Sequence, residues 1–254
     1  MSTLALGSRP RTAPRSLAGL HGLLAVQSLV IVLLTINRLS TLTLGYVAPN
    51  EFLRWVDLNN MLVLPLISLV GFYLVKRRLE LSDQTGARDG AAHLALGLAF
   101  IVGAYLLAAS YGDHEVTNYL HARFCEPDAG PGSVFSDLCR IVIFNDDEFS
   151  HWVFFTGFVL INGALMLLQV LFPHHAPLTG GDRALLVVNG VFIGLGVFAN
   201  LAFEVIGLDL YVVALLALLA GALLWRRGAQ PLLLYYATAY WLGLLATFAY
   251  KALA

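Results

Sequence analysis

Seven long apolar stretches, near residues 17–38, 60–75, 91–110, 151–172, 184–206, 209–225 and 231–250, dominate this chain and seldom carry an ionisable side chain. Runs of about 18 apolar residues or more are long enough to cross a bilayer as helices. A soluble fold would need a polar coat that the chain cannot supply. Charged residues make up 12% of it, against roughly 25% in soluble domains. Within lipid every backbone polar group must be satisfied internally, which leaves helices or a closed barrel. A barrel requires short alternating strands, and the sequence has no such alternation. The expected fold is therefore an all-α integral membrane protein, a polytopic bundle of six to seven transmembrane helices. The doubt in the number comes from Gly207 to Asp209, a turn so short that the flanking helices must form a tight hairpin or one of them must only dip into the membrane.

The basic residues divide the connections into two kinds. Arg9, Arg11 and Arg15, then Lys76 to Arg78 with Arg88, then Arg183, then Arg226 and Arg227 fall at alternate ends of the spans, the pattern of the positive-inside rule. The intervening connections carry acid: Glu51 and Asp57 in one, Asp113 through Glu148 in another. This reading puts the amino terminus in the cytoplasm and the carboxy terminus outside, in a multi-pass protein of the plasma or inner membrane. Residues 1–16 form a cytoplasmic leader and 17–254 a single transmembrane domain with an extracytoplasmic loop at 111–150. The first apolar run is longer than a signal-peptide core and is read as a retained anchor. The expected partner is the lipid bilayer, and no nucleic-acid footprint is visible.

The 111–150 connection gathers the chemically interesting residues. Its two cysteines, Cys125 and Cys139, are the only ones in the chain, and an oxidising location permits a disulfide between them. If α-helix continues through Tyr111 to His121, then His114, Thr117, Asn118 and His121 share one face. On the far side, Asp147 and Glu148 stand four and three residues before His151, so a carboxylate can meet that imidazole within one turn. The acids alone have an ordinary explanation as partners of a helix amino terminus. His121 and His151 flank the same connection and can converge, and a mixed nitrogen and oxygen set suits copper, zinc or iron. Glu115, His121, Asp147 and His151 are accordingly the candidate metal ligands. Asn200 and Glu204, four apart in an apolar stretch, form a possible second polar site.

The order of these features resembles the C subunit of the copper membrane monooxygenases, the family that oxidises methane, ammonia and short hydrocarbons. The likeness runs from Ala48-Pro49, Phe52 and Trp55 through Leu64-Pro65-Leu66 and Lys76-Arg77-Arg78. It resumes at Ala109-Ser110-Tyr111, an acidic stretch, His121, and an acidic run closing in Phe149-Ser150-His151 with Phe155 beyond. The resemblance implies that two histidines, His121 and His151, bind metal with an aspartate. The family places that aspartate four residues before the first histidine, where this chain has Thr117; Glu115, Asp113 or Asp147 could substitute. A second family site uses asparagine and two histidines, whereas here Asn200 is followed by Glu204 and no later histidine exists.

The resemblance further implies a membrane subunit of a hetero-oligomeric, copper-dependent monooxygenase complex, with other subunits and an external electron donor as partners. Two alternatives use the same residues. One is a zinc-dependent intramembrane hydrolase with Asp147 or Glu148 as general base. The other is a non-catalytic scaffold or assembly subunit.

Overall fold

The structure is a computed structural model that describes residues 16–81, 86–125, 136–203 and 207–253. Among these the chain is almost wholly helical, with a lone antiparallel bridge between Tyr46 and Arg54. Among the described residues seven helices are long and apolar enough to cross a membrane: α1 Ala18–Leu39, α2 Trp55–Glu80, α3 Ala91–Cys125, α4 Asp137–Leu171, α5 Gly180–Phe203, α6 Gly207–Arg227 and α7 Pro231–Leu253. The helices on either side of 204–206, which lie outside the described residues, are each of spanning length.

The helices differ from the apolar runs in a way that matters for the site. Both α3 and α4 have 35 residues, about 52 Å at 1.5 Å per residue, whereas a bilayer core is only about 30 Å thick. Roughly 20 Å of each must lie outside the hydrocarbon. The apolar run of α3 ends near residue 110 and that of α4 begins near 151, so the excess is at the end where Asp113 to Arg123 and Asp137 to Glu148 stand. The stretch read from the sequence as a loop from 111 to 150 is thus mostly helix, with 126–135 outside the described residues.

Neither extension is uniform α-helix. His121–Cys125 closes α3 as π-helix, and Asn145–Phe149 interrupts α4 in the same form. A disulfide joins Cys125 to Cys139, with 5.5 Å between the Cα atoms, and ties the two extensions together.

Small residues let α3 and α4 approach closely. A Cβ on Gly157 would lie 2.8 Å from the Gly103 carbonyl oxygen and from the Leu107 nitrogen. With lipid on the outside no hydrophobic gain favours helix pairing, so close backbone contact of this kind is what holds neighbours together. Above that crossing, the Ser110 hydroxyl donates to the Ser150 carbonyl at 2.8 Å, and the Ser150 hydroxyl donates to the Asp146 carbonyl at 2.7 Å.

The segment between α1 and α2 folds back over the α3 extension. Arg54 caps α2 by donating to the Asp57 carboxylate at 2.8 Å through both Nε and Nη2. Glu51 takes a left-handed backbone, φ 58°, a conformation that costs a residue with a Cβ. Its carbonyl is held there by the Tyr119 hydroxyl at 3.0 Å and the Arg123 guanidinium at 2.6 Å.

At the opposite, basic end, polar ties join helices distant in sequence. His21 of α1 bonds Asp182 of α5 at 2.9 Å. His93 of α3 bonds Glu80 of α2 at 2.7 Å, and Lys76 donates to the same carboxylate.

Candidate metal centre

The α3 and α4 extensions face each other, and the polar residues between them fall into a connected cluster. His121 Nδ1 lies 2.9 Å from Asp146 Oδ2 and 4.0 Å from Asp147 Oδ1. Among the described residues, His121, Asp146 and Asp147 are the set whose ligand atoms all lie within 4.8 Å of one another. Asp146 is 2% exposed as a residue, whereas the Asp147 side chain is 58% exposed. The set is therefore half enclosed, with one carboxylate below the imidazole and one at the solvent rim.

The hydrogen bond to Asp146 fixes the tautomer of a neutral His121. Nδ1–H donates, and the lone pair is left on Nε2. In a metal-loaded centre a cation between the ring and Asp146 would take the place of that proton, with Nδ1 and the Asp146 carboxylate both as ligands. The second oxygen, Asp146 Oδ1, is buried without a hydrogen bond. His114 Nε2 lies 3.9 Å from it, too far for a hydrogen bond. A buried acceptor in that condition costs stability unless something electropositive reaches it.

His114 connects the remaining candidates. Its ring stacks on that of His151, with centroids 5.1 Å apart and planes at 24°, and its Nδ1 lies 3.5 Å from Glu115 Oε1. Glu115 is buried and accepts from the Arg38 guanidinium of α1 at 3.3 Å. Of the four residues expected as ligands, His121 and Asp147 belong to the close set. Glu115 and His151 do not; each meets it through His114. Glu115 is engaged as a counter-ion to Arg38.

Two residues of the cluster, Asp146 and His114, were absent from the expected ligands. The signal for His114 was its seven-residue spacing from His121, which puts both on one α-helical face. Nothing in α-helical spacing distinguishes Asp146 from Asp147, because the π-helical turn resets the register there.

Of the second polar pair, Asn200 lies on α5, and Glu204 is outside the described residues. No protein-family model, curated protein or solved structure matches this chain.

Proposed function

We propose that the chain is a membrane subunit of a copper-dependent monooxygenase complex acting on a small substrate such as a hydrocarbon or ammonia, and that His121, Asp146 and Asp147 hold the copper. The observation that carries the reading is the Asp146 carboxylate: one oxygen orients His121, while the other is buried and lacks a donor. A cation beside it would satisfy that oxygen, and the donor set of one imidazole and two carboxylates fits a divalent transition metal. The order of features resembling the copper monooxygenase C subunit supplies the choice of copper. In this reading the amino terminus is cytoplasmic, the protein sits in the plasma or inner membrane, and the centre lies at its outer face.

Copper at this position would supply the redox chemistry with dioxygen. Overall, one oxygen atom enters the substrate and the other leaves as water, with two electrons and two protons from an external donor. The chain's own part is positional. Asp146 holds the His121 ring in one orientation, and the Arg38 guanidinium engages the Glu115 carboxylate away from the metal set. The stacked His114 and His151 rings form the adjoining wall.

The test is metal content of the purified chain after copper loading and dialysis. We expect about one copper per chain, lost in His121→Ala and weakened by at least roughly 10-fold in Asp146→Asn, since loss of a ligand costs no less than loss of an outer partner. Retention of copper by both variants, or none in the wild type, would remove the reading. A second reading draws on the oxygen-rich donor set, which also suits zinc. Zinc held in preference to copper, with ester or amide turnover by the isolated chain, would favour a hydrolase.

A further inference from the structure

The outer extension of α4 has two unlike faces. Asp146 and Ser150 are buried, and Ser150 meets Ser110 of α3. Leu138, Ile141, Phe144, Phe149 and Trp152 are instead between 43% and 70% exposed. The exposed set is continuous. Leu138, Ile141 and Phe144 follow at three-residue steps, which makes them neighbours on the surface of an α-helix. The Phe144 ring then stacks on that of Phe149, with centroids 6.4 Å apart, and meets the Trp152 ring edge-on at 5.8 Å. A step of five, from Phe144 to Phe149, is the spacing of a π turn, and Asn145–Phe149 is that turn. It serves both sides of the helix, placing Asp146 inward and carrying the apolar stripe past the turn outward.

Lipid does not reach all of this stripe. Trp152 stands where the apolar run begins, at the depth where Trp side chains mark the edge of a membrane. Ile141 and Leu138 lie about 16 and 21 Å beyond it along the helix, at 1.5 Å per residue. The headgroup layer adds only about 5 to 8 Å on each side of the hydrocarbon. Two aliphatic side chains, 61% and 70% exposed, therefore stand in the aqueous layer. A contiguous apolar patch in that setting marks a contact with another macromolecule.

The charge beside the stripe says which kind. Asp137 and Arg140 offset each other at 3.6 Å, and Asp147 and Glu148 are exposed in the next turns. The linking segment 126–135 adds two acids and no base. The face is thus apolar along its middle and acidic at its edge. A second copy of this chain would bring the same sign of charge to the contact. The complementary occupant is a different chain with an apolar patch and basic residues around it.

We infer that the outward face of the α4 extension, from Leu138 to Trp152, is the docking face for a different protein whose apolar contact patch is rimmed by Lys or Arg. It gives the partner subunits of the proposed complex a place to dock, and rests on that reading for their presence. Docking itself needs no copper: a chain that held the partner but no metal would keep this face and lose the centre.

The experiment compares the full chain purified alone in phosphatidylcholine nanodiscs with the same chain in its native membranes. Hydroxyl-radical footprinting should label Leu138 and Ile141 in the nanodiscs and find them protected in the native membranes. Benzoylphenylalanine in place of Ile141 should photo-crosslink there to another protein, through a segment that contains Lys or Arg. The same group in place of Leu98, 55% exposed within the apolar run of α3, should capture only lipid. Leu138→Ser with Ile141→Ser should weaken co-purification of that protein at least about 30-fold, the size of one lost hot spot. Both side chains are exposed, so the melting temperature of the chain should hold. Glu148→Lys should weaken the contact too, and reversing the crosslinked base of the partner to Glu should restore it.

Protection of Leu138 and Ile141 in the nanodiscs overturns the proposal, since lipid would then cover them. Full labelling in native membranes does so as well, because the face would then be bare. A crosslink from position 141 to lipid, to a second copy of the chain or to a segment without a basic residue also overturns it. So does a partner held equally well by the double variant or by Glu148→Lys.

Discussion

Asp146 and Asp147 are neighbours in sequence with opposite surroundings, the first side chain 3% exposed and the second 58%. The difference sets their predicted effects. Asp146→Ala removes the acceptor of a partly buried imidazole and should destabilise the protein by about 2 kcal/mol, the scale of a hydrogen bond to a charged group. Asp147→Ala should change thermal stability by less than about 0.5 kcal/mol, as surface substitutions do. Thermal unfolding of the two variants in detergent checks both, and equal losses would contradict the assignment of Asp146 as the inner ligand. At the other end, Gln169 is 1% exposed, donates to the Phe172 carbonyl at 3.1 Å and accepts from the Leu232 amide at 3.2 Å. Gln169→Leu leaves both backbone groups without these partners, and a loss of about 1 to 3 kcal/mol is expected in the same assay. Spacing in the sequence identified His121 and Asp147, but it could not tell which of two adjacent aspartates turns inward. Five residues of π-helix, Asn145–Phe149, place an extra residue in the turn and rotate Asp146 toward His121.

The α3 and α4 pair is the element on which the centre stands, and its close crossing is vulnerable. Gly157→Val would drive side-chain atoms into backbone only 2.8 Å from a Cβ at that position. Overpacking of this kind costs about 1 to 3 kcal/mol, and the two extensions above should shift apart. Loss of copper from the proposed centre along with the fall in melting temperature would show that the crossing positions the site. The disulfide closes a short segment, 14 residues apart in sequence, for which chain entropy alone gives about 3 kcal/mol. Cys139→Ser should lower thermal stability by up to that amount, measured under non-reducing conditions. The connection from α4 to α5 offers a pH test. Burial pushes the His174 imidazole below its ordinary value of 6.5, so the unfolded chain takes up its proton first. The stabilising effect is complete above about pH 6.5 and is lost as pH falls toward the folded value. The melting temperature of the wild type should therefore drop more steeply than that of His174→Gln between pH 7.5 and 5.5.

For the molecule as a whole, the alternation of basic and acidic connections carries a prediction of orientation. A periplasmic-type reporter fused after Leu253 should be active and one fused after Arg227 inactive, since positive clusters stay on the cytoplasmic side. The reverse pattern would put the proposed metal centre on the cytoplasmic face. The division into basic and acidic connections is a property of the sequence itself. The lengths of α3 and α4 were not legible there, because hydropathy marks only where the hydrocarbon ends, and a helix continues beyond it when its polar turns find partners on a neighbour.

Composition and apolar run length alone determined that this chain is an all-helical membrane bundle, since a bilayer admits no other way of satisfying so much backbone. The candidate residues His121 and Asp147 also came from the sequence, through the spacing of polar groups beside the apolar runs. Tertiary structure decided the rest. It sent Glu115 to Arg38 and stacked His114 on His151. It also buried Asp146 against His121. Each of these depends on how two helices 20 or more residues apart in sequence are rotated against one another, and helix rotation is set by packing and by π turns that no 3.6-residue periodicity encodes.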